Sequence, residues 1–128
     1  MQLTREEAIA NHRKMWNWIA DETERRKVPV LKHEYFNFVG LAHIHNSCFC
    51  CEYTRNKAYK VDCSFCPIDF DSKASFYMCE RKYFAFDYKG IYALWVDKVS
   101  EKENFDWQNA AKLAREIANL PERGDNHQ

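Results

Sequence analysis

The chain has 128 residues, 46% of them hydrophobic and 16% aromatic, enough to bury one core but too few to suggest two domains. No linker rich in Pro, Gly or Ser interrupts it, so a single domain over residues 1–120 with a loose tail at 121–128 is expected. Lys+Arg and Asp+Glu balance at 19 each, which removes the long-range field that draws proteins to nucleic acid or anionic membranes.

Thr4-Arg5-Glu6-Glu7 is a capping-box pattern, in which the Thr hydroxyl and the Glu carboxylate satisfy orphan amides at a helix start. Behind it Ile9, His12, Trp16, Ile19 and Thr23 recur at helical spacing, with Ala8, Met15 and Ala20 widening the stripe. A long helix is therefore expected through the charged run 24–27, bounded by Pro29. Residues 31–39 offer Leu31, Tyr35, Phe36, Phe38 and Val39 as anchors and fit a short helix better than a strand, with Gly40 at its end. Aromatics crowd residues 72–88, where the alternation of Phe84, Phe86 and Tyr88 predicts one or two short strands. Ile91, Leu94, Trp95 and Lys98 predict a helix over 90–101. Asp106 then suits the N-cap of a last helix whose face, Trp107, Ala110, Ala111, Ala114, Ile117 and Ala118, is small enough for another helix to approach closely. Pro121 stops it.

The chain opens without an apolar signal segment and nowhere carries about 18 apolar residues together, so neither export nor membrane spanning is expected. In the cytoplasm thiols stay reduced, which makes the six cysteines better candidates for a metal site than for a disulfide framework. Cys48-Phe49-Cys50-Cys51 and Cys63-Ser64-Phe65-Cys66 are two C-x-x-C pairs separated by eleven residues. Each pair supplies two thiolates from one tight knuckle, and two knuckles close a tetrahedral site, so Cys48, Cys51, Cys63 and Cys66 are expected to hold one structural zinc ion. Four thiolates also suit an iron–sulfur cluster, and free cysteines are often just small buried hydrophobes; we rank both behind zinc. Cys50, between two ligands of one knuckle, is read as a buried thiol, and Cys79 as the reserve ligand. The expected fold class is mainly α with a small β/zinc-knuckle element: a small zinc-stabilised helical domain. Its first and last helices pack together, Trp16 and Ile19 against Ala110, Ala114 and Ile117, and the cysteine loop caps one end.

His43 and His45, just before the first knuckle, invite an HNH-type nuclease reading. That arrangement spreads its histidines and asparagine between the knuckles, whereas residues 52–62 contain no histidine, and a closed Cys₄ site lacks the open position of catalytic zinc. The two histidines are read as turn or surface residues, with contact to the metal ligands as the alternative. Asp69 and Asp71 read as a polar turn, and three glycines leave no phosphate-cradling loop. No catalytic apparatus is expected.

The stretches Asn46-Ser47-Cys48-Phe49-Cys50-Cys51-Glu52-Tyr53, Cys63-Ser64-Phe65-Cys66-Pro67-Ile68-Asp69-Phe70 and residues 111–121, with Thr4-Arg5-Glu6-Glu7-Ala8 ahead of them, resemble a group of small proteins encoded by tailed bacteriophages and prophages. The resemblance spans most of the chain. Cys50 departs from the apolar residue usual inside the first knuckle, and Phe70 stands where Trp is commoner. It implies a bacterial host cytoplasm and a phage role without implying a reaction. The expected function is a non-catalytic, zinc-stabilised protein-binding module, an inhibitor or adaptor acting on a host protein such as a defence component, its aromatics including interface anchors. The alternative is a nucleic-acid-binding zinc knuckle using Arg55, Lys57 and Lys60 with Tyr53 and Tyr59 for stacking, but Glu52 and Asp62 leave that stretch without a basic stripe. A homodimer presenting the long first helix is compatible with each reading.

Overall fold

The computed structural model describes residues 3–40, 49, 67–68, 82–83, 88–89, 91–101 and 103–122. These residues are mainly helical. Among them are four helices, α1 (Arg5–Arg26), α2 (Lys32–Phe38), α3 (Ile91–Val99) and α4 (Trp107–Ala118), and, between α2 and α3 in the chain, two two-residue strands, β1 (Lys82–Tyr83) and β2 (Tyr88–Lys89). None of the described helices is long and apolar enough to cross a membrane.

α1 starts where its sequence says it should. The Glu7 amide donates to Thr4 Oγ1 at 3.0 Å, and the Thr4 amide donates to Glu7 Oε1 at 2.9 Å. Glu6 and Glu7 sit in the first turn and Arg25 and Arg26 in the last, each complementing the helix dipole. The helix stops at Lys27, which takes the left-handed conformation (φ 59°) and donates its amide to the Thr23 carbonyl at 2.8 Å. A left-handed lysine is strained, and its ammonium finds a seat over the Trp107 ring, 5.2 Å from the centroid. The residues α1 buries are Ala8, Ile9, His12, Met15, Trp16, Ile19, Ala20 and Thr23, the whole of the expected stripe.

α1 makes its most extensive contacts with α4. The pairs His12 with Ile117, Asn17 with Arg115 and Lys27 with Trp107 run in opposite chain directions, so the two helices are antiparallel. Asp106 caps α4 by accepting the Asn109 amide at 3.1 Å. Ala110, Ala111, Ala114, Ile117 and Ala118 are buried, and Trp16, Ile19, Ala114 and Ile117 share one core cluster, as expected. The seam also contains a polar contact. Buried His12 places Nε2 at 2.9 Å from the Ile117 carbonyl; because a carbonyl only accepts, Nε2 carries the hydrogen. Next to it Arg13 donates to the carbonyls of Ala118 (2.8 Å) and Leu120 (3.1 Å), satisfying the end of α4. Thr23, also buried, donates its hydroxyl to the Ile19 carbonyl at 2.7 Å.

α3 packs on α4, where residues 90–101 were expected to be helical. Of the residues whose spacing predicts this helix, Trp95 is buried and Leu94 is 43% exposed, while Tyr92 and Ala93 are buried with Trp95. The reason is area. Tyr92 and Trp95 stack on each other (5.8 Å, 30°), and both meet Trp16 edge-on, at 6.0 and 4.7 Å. Two aromatic rings bury more apolar surface than one leucine and gain favourable ring geometry as well. β1 and β2 pair antiparallel, Lys82 opposite Lys89 and Tyr83 opposite Tyr88; Phe84 and Phe86 lie outside the described residues. Glu122 forms an isolated antiparallel bridge with Ile68 and ion pairs with Arg5 (3.4 Å) and Arg13 (3.9 Å), while 123–128 lie outside the described residues.

The seam predicts two unequal outcomes in chemical denaturation. Ala114→Trp forces volume into a fully buried position and should destabilise by about 1–3 kcal/mol or more. Lys112→Ala, on the exposed side of α4, should change stability by less than about 0.5 kcal/mol.

Candidate functional site

All four expected zinc ligands, Cys48, Cys51, Cys63 and Cys66, lie outside the described residues, as do Cys50, Cys79, His43, His45, Asp69 and Asp71. The same holds for Tyr53, Arg55, Lys57, Tyr59 and Lys60. Among the described residues there is no group of three or more His, Cys, Asp or Glu side chains able to hold a metal.

The structure does describe residues within and directly after the two C-x-x-C pairs. Phe49, between Cys48 and Cys51 in sequence, is 1% exposed and belongs to the main core cluster. Its ring lies 5.2 Å from Phe36 and 6.3 Å from Tyr35, both on α2. Pro67 and Ile68, directly after Cys66, are buried as well, and Ile68 pairs with Glu122. The donor set fits zinc chemically: four cysteines in two C-x-x-C pairs, with buried Phe49 inside one and buried Pro67 and Ile68 directly after the other. Zinc bound there would supply structural cross-linking between two separately anchored stretches of chain.

α2 provides the seat for Phe49, and it needs help to do so. At seven residues it is too short to stand alone, because helix nucleation costs more than two turns of hydrogen bonds return. Leu31 occupies the N-cap and has no side-chain acceptor, so only half of a capping box forms: the Leu31 amide donates to Glu34 Oε2 at 3.0 Å. Glu34 Oε1 also accepts from Arg26 at 2.8 Å, tying α2 to the end of α1. Partial burial would raise the Glu34 pKa, but the Arg26 hydrogen bond, the Leu31 amide and nearby positive charge outweigh it and hold the carboxyl below its usual value. Burial pushes the Tyr35 phenol up.

Of the five anchors expected in residues 31–39, only Tyr35 and Phe36 are buried. Phe38 is 69% exposed, and Leu31 and Val39 are exposed too. Tyr35 meets Trp18 of α1 edge-on at 5.5 Å, and Trp18 stacks against Phe38 at 5.3 Å and 27°. The half-buried Trp18 is absent from the expected α1 stripe. A Trp two residues from a core Trp was visible in the sequence, but only the placement of α2 gives it a partner. Compared with known protein families, curated proteins and solved structures, the chain matches none.

Two outcomes are expected. Glu34 has a lowered pKa, so its stabilising contribution is complete above the unfolded value of 4.5 and is lost as pH falls through the folded value below it. Glu34→Gln should therefore cost about 0.5–1 kcal/mol at pH 7, and the two unfolding midpoints should converge as the solution is acidified below 4.5. For the metal, elemental analysis should find one zinc per chain, and Cys48→Ser, Cys51→Ser, Cys63→Ser or Cys66→Ser should each abolish cooperative folding, with Cys50→Ser tolerated. A Cys₄ site contributes about 10–16 kcal/mol, as much as a domain's whole stability of about 5–15 kcal/mol. Iron in place of zinc would reassign the metal, and equal damage from Cys79→Ser would reassign the ligands.

Proposed function

We propose that this chain is a zinc-stabilised, non-catalytic protein-binding module, made by a phage as an inhibitor or adaptor of a host protein, with host defence components as the target class. The observation that carries the binding reading is the aromatic pair at the surface, Phe38 at 69% exposure with Trp18 stacked beneath it and exposed Val39 following in the chain. Large aromatics left accessible on a rigid helical support are the anchors that protein interfaces use, and they cost little conformational entropy on binding. Balanced charge supports a protein partner over a polyanion, since phosphate contacts need an excess of cations. The host setting and the target class rest on the resemblance of the knuckle and terminal motifs to phage-encoded proteins.

The test is capture from a bacterial host lysate on the zinc-loaded protein. A stoichiometric partner retained by the wild type and lost with Phe38→Ser is expected; because Phe38 is mostly exposed, the variant should keep its unfolding midpoint within about 0.5 kcal/mol. Retention of single-stranded DNA or RNA at physiological ionic strength, falling steeply with added salt, would instead establish a nucleic-acid module.

A further inference from the structure

We infer that the protein segment docking on the Phe38–Trp18 face is acidic: it places a carboxylate beside its apolar anchor, and Lys14 of α1 receives that carboxylate. The inference rests on the proposed role of this face in binding a protein and adds the chemistry of what binds. Phe38 is 69% exposed and stacks on Trp18 at 5.3 Å and 27°. Lys14 precedes Trp18 by four residues in α1, so the two are neighbours on one side of the helix. A helical side chain leans toward the turn before its own, which turns Trp18 toward Lys14. Lys14 is exposed and makes no hydrogen bond or ion pair with a described residue.

The other charged side chains within four residues of Trp18 or Phe38 are already engaged. Glu34, before Phe38, accepts from Arg26 at 2.8 Å and from the Leu31 amide at 3.0 Å. Glu22, after Trp18, pairs with Arg25 and Arg26, and Asp21 is turned toward α4, where it accepts from Arg115 at 2.8 Å. The unmatched charge bordering the two rings is therefore the Lys14 ammonium. A segment that covers the rings strips water from that ammonium: a neutral segment leaves the cost unmet, a basic one adds repulsion, and a carboxylate removes both. Nucleic acid suits the face less well, because a run of phosphates needs several cations, whereas these residues offer one and hold the Glu22 and Glu34 carboxylates beside it.

The experiment selects from a displayed library of short random peptides on the immobilised full chain, with Phe38→Ser used for counter-selection. Peptides that need Phe38 should carry Asp or Glu close to an aromatic, Leu or Met residue. In fluorescence anisotropy the tightest of them should bind Lys14→Glu about fivefold more weakly than the wild type and Lys14→Arg nearly as well. Added salt should weaken the wild type more than Lys14→Gln. Because Lys14 is exposed, the three variants should keep the wild-type unfolding midpoint. Phe38-dependent peptides that show no acidic bias, or that bind Lys14→Glu equally well, overturn the inference and leave the docking face standing. Recovery of no Phe38-dependent peptide removes the face itself, and the inference with it. Salt-sensitive binding of oligothymidylate that is lost in both Phe38→Ser and Lys14→Glu also overturns it, by making the occupant a nucleic acid.

Discussion

The antiparallel contact between α1 and α4 is the frame on which the other described elements hang. It works because one surface is small and the other large: Ala110, Ala114 and Ala118 let the α4 backbone approach Met15, Trp16 and Ile19 of α1. Close approach removes water, so any polar group caught there needs a partner. His12 meets that demand by donating to the Ile117 carbonyl, one of the last in α4, while Arg13 takes the carbonyls of Ala118 and Leu120. Leaving such a group buried without a partner would cost about 1–3 kcal/mol, so the histidine also fixes the register in which the two helices meet. At the seam's edge Arg115 reaches Asn17, Asp21 and Glu24 in one fork, tying three turns of α1 to a single residue of α4.

With α1 held, its remaining surface organises the rest. Trp16 presents its ring to Tyr92 and Trp95, which sets the rotation of α3. Trp18, two residues on and turned to another side, meets Tyr35 and Phe38, which places α2. The core is in this sense divided: a tight aliphatic seam between the long helices, and an aromatic layer that spreads outward from two tryptophans of one helix. Phe49 extends that layer to the cysteine segment.

The two fastening points around the proposed metal lie on different parts of the frame. Phe49 rests on α2, whereas Ile68 pairs with Glu122 just beyond α4, and Glu122 in turn reaches Arg5 and Arg13 near the start of α1. A zinc ion joining the two C-x-x-C pairs would bind these regions to one another. In a domain of this size such a cross-link would add cohesion to what burial supplies.

The long helix was readable from the sequence residue by residue, because 22 residues sample the 3.6 period over six turns and the polar and apolar faces cannot be confused. Its capping box, and Asp106 before α4, are local chemistry and were equally plain, as was the alanine face that marks close approach. The C-x-x-C spacing is also a sequence property, and the zinc proposal rests on it. The tertiary structure decided matters that depend on neighbours. In helices of seven and nine residues the period is sampled about twice, so burial of Tyr92 over Leu94, or exposure of Phe38, turned on which surface α1 presented. The role of His12 was likewise hidden: at helical spacing it reads as one more member of an apolar stripe, and only a carbonyl from the far end of the chain, 105 residues away, shows why a polar ring belongs there.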